Sequence, residues 1–173
     1  MQSRGGRAGL SRIGRMDQSM DGDRRAALAV LIRGQRIAHL ATLRQGAPMA
    51  SMTLYLPDAD FTAFHVHVSR LAWHTQDMTQ DQRVALSIAE ADDGRADPFT
   101  LMRVSIRGTV QQLDGDQPEL KRQWLVCFPE QAINFELADF AFWRIVPRDA
   151  RFVMGFGRIH NLSAAALAAC SKS

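Results

Sequence analysis

The chain has 173 residues, 46% of them hydrophobic and 23% charged, which suits one globular domain with its own core. A formal net charge of +3 gives little reason to expect a nucleic-acid partner. No apolar run reaches the roughly 20 residues of a membrane span, so neither nucleic acid nor membrane is expected as a partner.

All but Lys121 and Lys172 of the 21 basic residues are Arg. Arg4, Arg7, Arg12 and Arg15 fall in a Gly-rich opening stretch with no acid and no apolar middle of the signal-peptide kind. Residues 1–20 therefore read as a flexible leader, and 21–173 as a single domain. Cys127 and Cys170 form no CxxC pair, which excludes a zinc knuckle or dithiol motif. Two lone thiols fit a reducing, cytoplasmic setting.

DRRAALAVLIR at 23–33 has helical apolar spacing, with Gly34 as its stop. RIAHLATL at 36–43 and MASMTLYL at 49–56 read as a hairpin broken by GAP at 46–48. PDAD at 57–60 turns the chain into a third strand over 61–68. Ser69 then caps a helix over 70–81, and 83–90 returns to strand. DDGRADP at 92–98 is a loop. The spacing predicts the longest strand over 101–113, with Leu101, Arg103, Ser105 and Arg107 on one face and Met102, Val104 and Ile106 on the other. Asp116 and Glu119 form a capping-box pattern for a helix to about Val126, followed by a helical turn in 130–138. FAFWRIV and ARFVMGFGRI read as two closing strands about a PRD turn at 147–149, and the tail as a short helix. Six or seven strands with few helices give a mainly β fold, a barrel or a sandwich.

Three places carry candidate chemistry. Where a strand passes into a helix at Ser69–Thr75, free amides can bind phosphate, with hydroxyls from Ser69 and Thr75 and a charge from protonated His74. Arg103 offers a guanidinium fork for phosphate or a carbonyl edge. Trp143 and Arg151, read on successive strands, offer one stacking surface and one cation. His65 and His67 share a strand face without a carboxylate or thiol at ligand spacing, so no metal is expected. His39 reads as internal, and His160 as an isolated candidate axial ligand.

Taken in order, ATLRQGAPMASMTLYL, SRLAWHT, RVALSI, RVSIRG and DFAFWRIVPRDARFVMGFGR resemble the pyridoxamine 5′-phosphate oxidase-like, FMN-binding split-barrel superfamily, nearest its HugZ-like heme-utilisation branch. The resemblance covers roughly residues 24–160. It implies a split β-barrel, a homodimer, and FMN at the subunit interface. It implies that Ser51 and Met52 lie beside the flavin, that Ala72, Trp73 and His74 lie at its phosphate, and that Arg103 meets the ring. Trp143 and Arg151 would reach the cofactor from the partner subunit. Pyridoxamine phosphate oxidases carry basic residues where this chain has Ser51, Leu56 and Trp73, which argues against vitamin B6 oxidation. Heme-degrading members carry a C-terminal domain that supplies the heme ligand, and this sequence does not include one. The expectation is an FMN-dependent oxidoreductase with a small-molecule redox partner. The alternatives are a heme-binding or heme-degrading protein and a non-catalytic flavin-binding module.

Overall fold

The computed structural model describes residues 20–155 and 157–173. The leader expected over 1–20 lies outside the described residues, except Met20, which is buried against the core. Helix α1 (Gly22–Gly34) starts on Asp21, whose carboxylate accepts from the Arg24 amide at 2.9 Å. Its buried Leu28, Leu31 and Ile32 recur at i, i+3 and i+4 and face the barrel. Gly34 completes the helix, and Gln35 ends it. Among the described residues no helix is long and apolar enough to cross a membrane.

The sheet is antiparallel and has eight strands in the order β2-β1-β5-β6-β7-β4-β3, with β8 added to β7. The strands are β1 (Ile37–Arg44), β2 (Ala47–Leu54), β3 (Leu56–Pro57), β4 (Phe64–Ser69), β5 (Arg83–Ala89), β6 (Arg103–Gln112), β7 (Phe140–Val153) and β8 (Ile159–Ser163). One ribbon joins the two ends of this order. β2 pairs with β1, and its continuation β3 pairs with β4, so the sheet curls back on itself as a split barrel. Leu40, Phe64, Val66, Leu86, Ile88, Val104, Ile106, Ile145 and Phe152 fill the interior. Each such side chain is worth about 1.5–3 kcal/mol on burial.

The hairpin departs from the expected break. Gln45 and Gly46, both at positive φ, turn the chain in two residues, and Ala47 and Pro48 already pair with Arg44 and Leu43. β4 begins at Phe64 rather than 61.

The larger correction concerns residues 140–153. They form one strand, not two around a turn. Gly108 pairs with Pro147 and Arg107 with Asp149, so Arg148 is an extra residue, a β-bulge. The PRD sequence bends the strand without ending it. Asp149 holds the bulge by accepting from Arg107 Nε at 2.7 Å, Arg107 Nη2 at 2.9 Å and Arg148 Nε at 3.1 Å. The bulge also reverses the alternation. Trp143 and Ile145 face inward before it, and Ala150 and Phe152 after it. This strand, not β6, is the longest.

A second apolar cluster covers the outside of β4 and β7. Helix α3 (Pro118–Cys127) and the 3-10 segment Pro129–Glu136 lay Trp124, Phe128 and Phe135 over Phe142. α3 begins at Pro118 without a side-chain cap, so the Asp116 capping box does not form. Pro118 supplies the start, having no amide hydrogen to leave unpaired. Glu119 pairs with Arg122 instead.

His67 lies inside this cover, stacked 4.1 Å from the Phe135 ring. Burial, and secondarily the Lys121 charge, push its pKa down to about 4. The native state thus excludes a proton that the unfolded chain binds below about pH 6.5. The stabilisation is full above that value and is lost as pH falls towards 4. His67→Phe is expected to remove about 2 kcal/mol of the acid-side loss between pH 7 and 4.5, read as urea midpoints. Parallel pH profiles for the two proteins would contradict it.

Candidate functional site

Helix α2 (Trp73–Gln80) packs on β1 and touches β2. It starts later than expected. Ala72 is its N-cap, and Ser69 does not cap it. Ser69 instead ends β4, donates to Asp139 and accepts from the Leu71 amide at 3.1 Å. The chain therefore needs a further turn before the helix, and the free amides belong to Trp73 and His74, because the Thr75 amide donates to the Ala72 carbonyl at 3.1 Å.

That first turn is densely polar. Thr75 is 4% exposed, and its hydroxyl has no hydrogen-bond partner. Nε2 of His74 is buried without a partner as well. Burial pushes the His74 pKa below its ordinary value, while Asp77 opposes the shift. Burial thus favours the neutral ring and weighs against a charge from His74. The positive charge comes from β1. Arg44 lies with its guanidinium 4.1 Å from the Trp73 ring centroid. Its Nη1 donates to Asp77 at 3.0 Å, and Thr42 donates to the other Asp77 oxygen at 2.9 Å. Alternation on β2 puts Ser51 on this inner side, paired with Leu40.

The remaining expected residues divide. Met52, 64% exposed, faces outward beside His39. His39 is exposed, which corrects its internal reading. Met52, His39, Ser87, Ser105, Arg151 and Asn161 form one continuous cross-strand row over the outer face. Ala50, Ala41, Ala85, Arg107, Asp149 and Ser163 form the next. Ala50, Ala41, Ala85 and Ser87 are the short side chains of these rows, and Met52 and His39 stand beside them. A groove of about 410 Å³ runs along Ser105, Arg107, Asp149, Arg151 and Asn161. Arg151 donates to Asn161 at 3.0 Å. Arg103 spends Nη1 on the carbonyls of Phe99 and Leu101, at 3.3 and 3.0 Å.

Trp143 and Arg151 do not sit on successive strands. They share β7 on opposite faces, because the bulge lies between them. Trp143 is 5% exposed within the barrel core. His65 bonds Asp58 at 2.9 Å. His160 is buried near Phe152.

No family model matches the chain. A curated relative, the chloroplastic non-canonical heme oxygenase HOZ of Arabidopsis thaliana, is 30% identical over 132 residues. The match takes in 74% of this chain and 39% of that protein, so this chain spans well under half its length. A heme binding protein from Mycobacterium smegmatis is 25% identical with a TM-score of 0.74, over 87% of this chain and 61% of that one. The fold also matches a Clostridium acetobutylicum protein of the pyridoxinephosphate oxidase family, at a TM-score of 0.67 and 12% identity, over 86% and 99% of the two chains.

The chain has the split-barrel fold of the pyridoxamine 5′-phosphate oxidase-like proteins, and the proteins it is similar to include ones named for heme.

Against that superfamily frame, the sequence reading selects the α2 turn but passes over Thr42, Arg44 and Asp77. A signal was present. Asp77 stands four residues after Trp73, so the two share a helix face. A carboxylate beside an aromatic on one helix face invites a guanidinium. Its source on a distant hairpin is visible only in three dimensions.

Proposed function

We propose that this split barrel is a homodimeric, FMN-binding oxidoreductase acting with a small-molecule redox partner. The observation that carries the reading is the α2 turn: free amides, the unpartnered Thr75 hydroxyl and a guanidinium held over Trp73. Such a turn suits the phosphate of a flat cofactor. Bound flavin would supply the electron transfer, and the protein its orientation and electrostatics. Trp73 offers a ring face, Ser51 a hydroxyl, and Arg44 the charge.

The division of the site is what supports the dimer. In one copy the α2 turn and the row through Arg151 lie on opposite sides of the sheet. The outer rows are the surface on which a second copy would dock, and the superfamily resemblance implies that the partner's Arg151 would reach the cofactor from there. α3 and the 3-10 segment cover the β4–β7 half of the outside, which leaves the outer rows as the uncovered surface for a second copy. Two free thiols fit a cytoplasmic setting.

A heme-binding reading is favoured by a separate observation. The Arabidopsis and Mycobacterium relatives are named for heme. The outer row sets His39 beside Met52, two groups able to ligate iron.

One titration decides between them. Protein purified without added cofactor is titrated with FMN and with hemin, followed by flavin fluorescence and the Soret band. Saturable FMN quenching is the expected result. A Soret band shifted by His39→Ala would favour heme instead, and no saturable binding of either would overturn both. Ser105→Trp, in the middle of the outer row, is expected to give a monomer by light scattering. An unchanged dimer would place the interface elsewhere.

A further inference from the structure

The Arg44 guanidinium is fixed from two directions. Nη1 donates to Asp77, whose second oxygen accepts from Thr42, so a carboxylate only 3% exposed is engaged on both sides. The flat of the guanidinium meets the Trp73 ring. Trp73 and Asp77 are one helical turn apart, so α2 presents ring and carboxylate together. An Arg side chain ordinarily loses much rotamer freedom when it grips an anion. Here that freedom is already gone. Nε and Nη2 carry no hydrogen bond within the described residues. His74 Nε2 and Thr75 Oγ1 lie in the same turn as Trp73, buried and unpartnered. Buried polar atoms without partners are uncommon, and several in one turn mark a place where a ligand completes the bonding.

We propose that Arg44, brought from the end of β1, grips the oxyanion end of the bound cofactor, and that Asp77 and Trp73 are its positioning residues. This rests on the cofactor reading above. The oxyanion is a flavin phosphate or a heme propionate; the recognition chemistry is the same. Arg44 thereby supplies a positive charge at the position where Trp73 does not.

The test compares ligands that differ only in the anion. FMN is paired with riboflavin, and hemin with its dimethyl ester. Wild-type protein is expected to prefer the anionic member of one pair. Arg44→Ala should weaken that member about tenfold to a hundredfold and leave the neutral member unchanged. The pair that responds identifies phosphate or propionate. Asp77→Asn and Trp73→Ala should lower the same preference by smaller factors, and Arg70→Ala, which removes an exposed arginine just before α2, should not. If Arg44→Ala fails to fold, Arg44→Lys keeps the charge without the stacked fork and should give part of the loss. Equal effects on both members of a pair, or none, would overturn the role of Arg44 while leaving the cofactor reading standing. Wild-type protein that binds none of the four ligands would overturn both.

Discussion

Gly108→Ala is expected to destabilise the protein by about 3 kcal/mol or more, read as a lowered urea midpoint with loss of the cooperative melt. A β-carbon at Gly108 would sit 2.2 Å from the Val146 carbonyl oxygen and 2.9 Å from its carbon. Both atoms are backbone, so no side chain can swing away. They belong to a strand held from both sides, by β6 on one flank and by β4 and β8 on the other. The expected relaxation is loss of the bulge register, which would also separate Arg107 from Asp149. Gly34→Ala is the control. It lies in α1 with open space around the added carbon and should gain about 0.5–1 kcal/mol from helix propensity. A Gly108→Ala protein as stable as wild type would mean that the two strands do not approach as closely as described.

Trp124→Ala is expected to cost about 3–5 kcal/mol, and the loss should be local. Trp124 is 1% exposed and contacts Phe128, Phe142 and the edge of His67. It belongs to the second apolar cluster, not to the barrel interior. The cover made by α3 and the 3-10 segment should therefore loosen while the barrel persists. The diagnostic readout is His67. With water admitted, its pKa should climb from about 4 towards the ordinary histidine value, followed by its ring protons in NMR. A pKa unmoved in the variant would show that Trp124 does not shield that ring.

Much of the architecture is legible in the chain. Alternation in 101–113 gives the buried and exposed faces of β6 correctly, because Val104 and Ile106 face a core that Arg103, Ser105 and Arg107 avoid. Helix α1 is equally plain from its 3.6-residue period. The failures are of one kind. Pro, Arg and Asp at 147–149 look like a turn, since local composition carries no information about a neighbouring strand. Pairing with Gly108 on β6 keeps the chain extended there. Ser69 looks like a helix cap, but Asp139, far away in sequence, takes its hydroxyl.

The site follows the same logic. The strand-to-helix passage at 69–75 is a local feature, and the sequence shows it. Arg44 stacking on Trp73 is a long-range contact between a hairpin and a helix, and nothing in the spacing announces it. His74 carries a proton at neutral pH only if it is wet, and burial depends on the whole fold.

The bulge at Arg148 also constrains how this strand can change over evolutionary time. Before it, odd-numbered positions such as Trp143 and Ile145 point inward; after it, even-numbered ones such as Ala150 and Phe152 do. Removing one residue between Ile145 and Ala150 would put both halves in phase. Trp143, Ile145, Ala150 and Phe152 would then share one inward face along a regular, bulge-free strand. Removing two residues along with the bulge would instead turn Phe152 to water and Arg151 into the core, so a single-residue change of length here should accompany the loss or gain of the bulge. When homologous chains are aligned, a single-residue gap here signals a sheet without the bulge, and positions beyond it must be matched by the face they present before any functional residue is carried across.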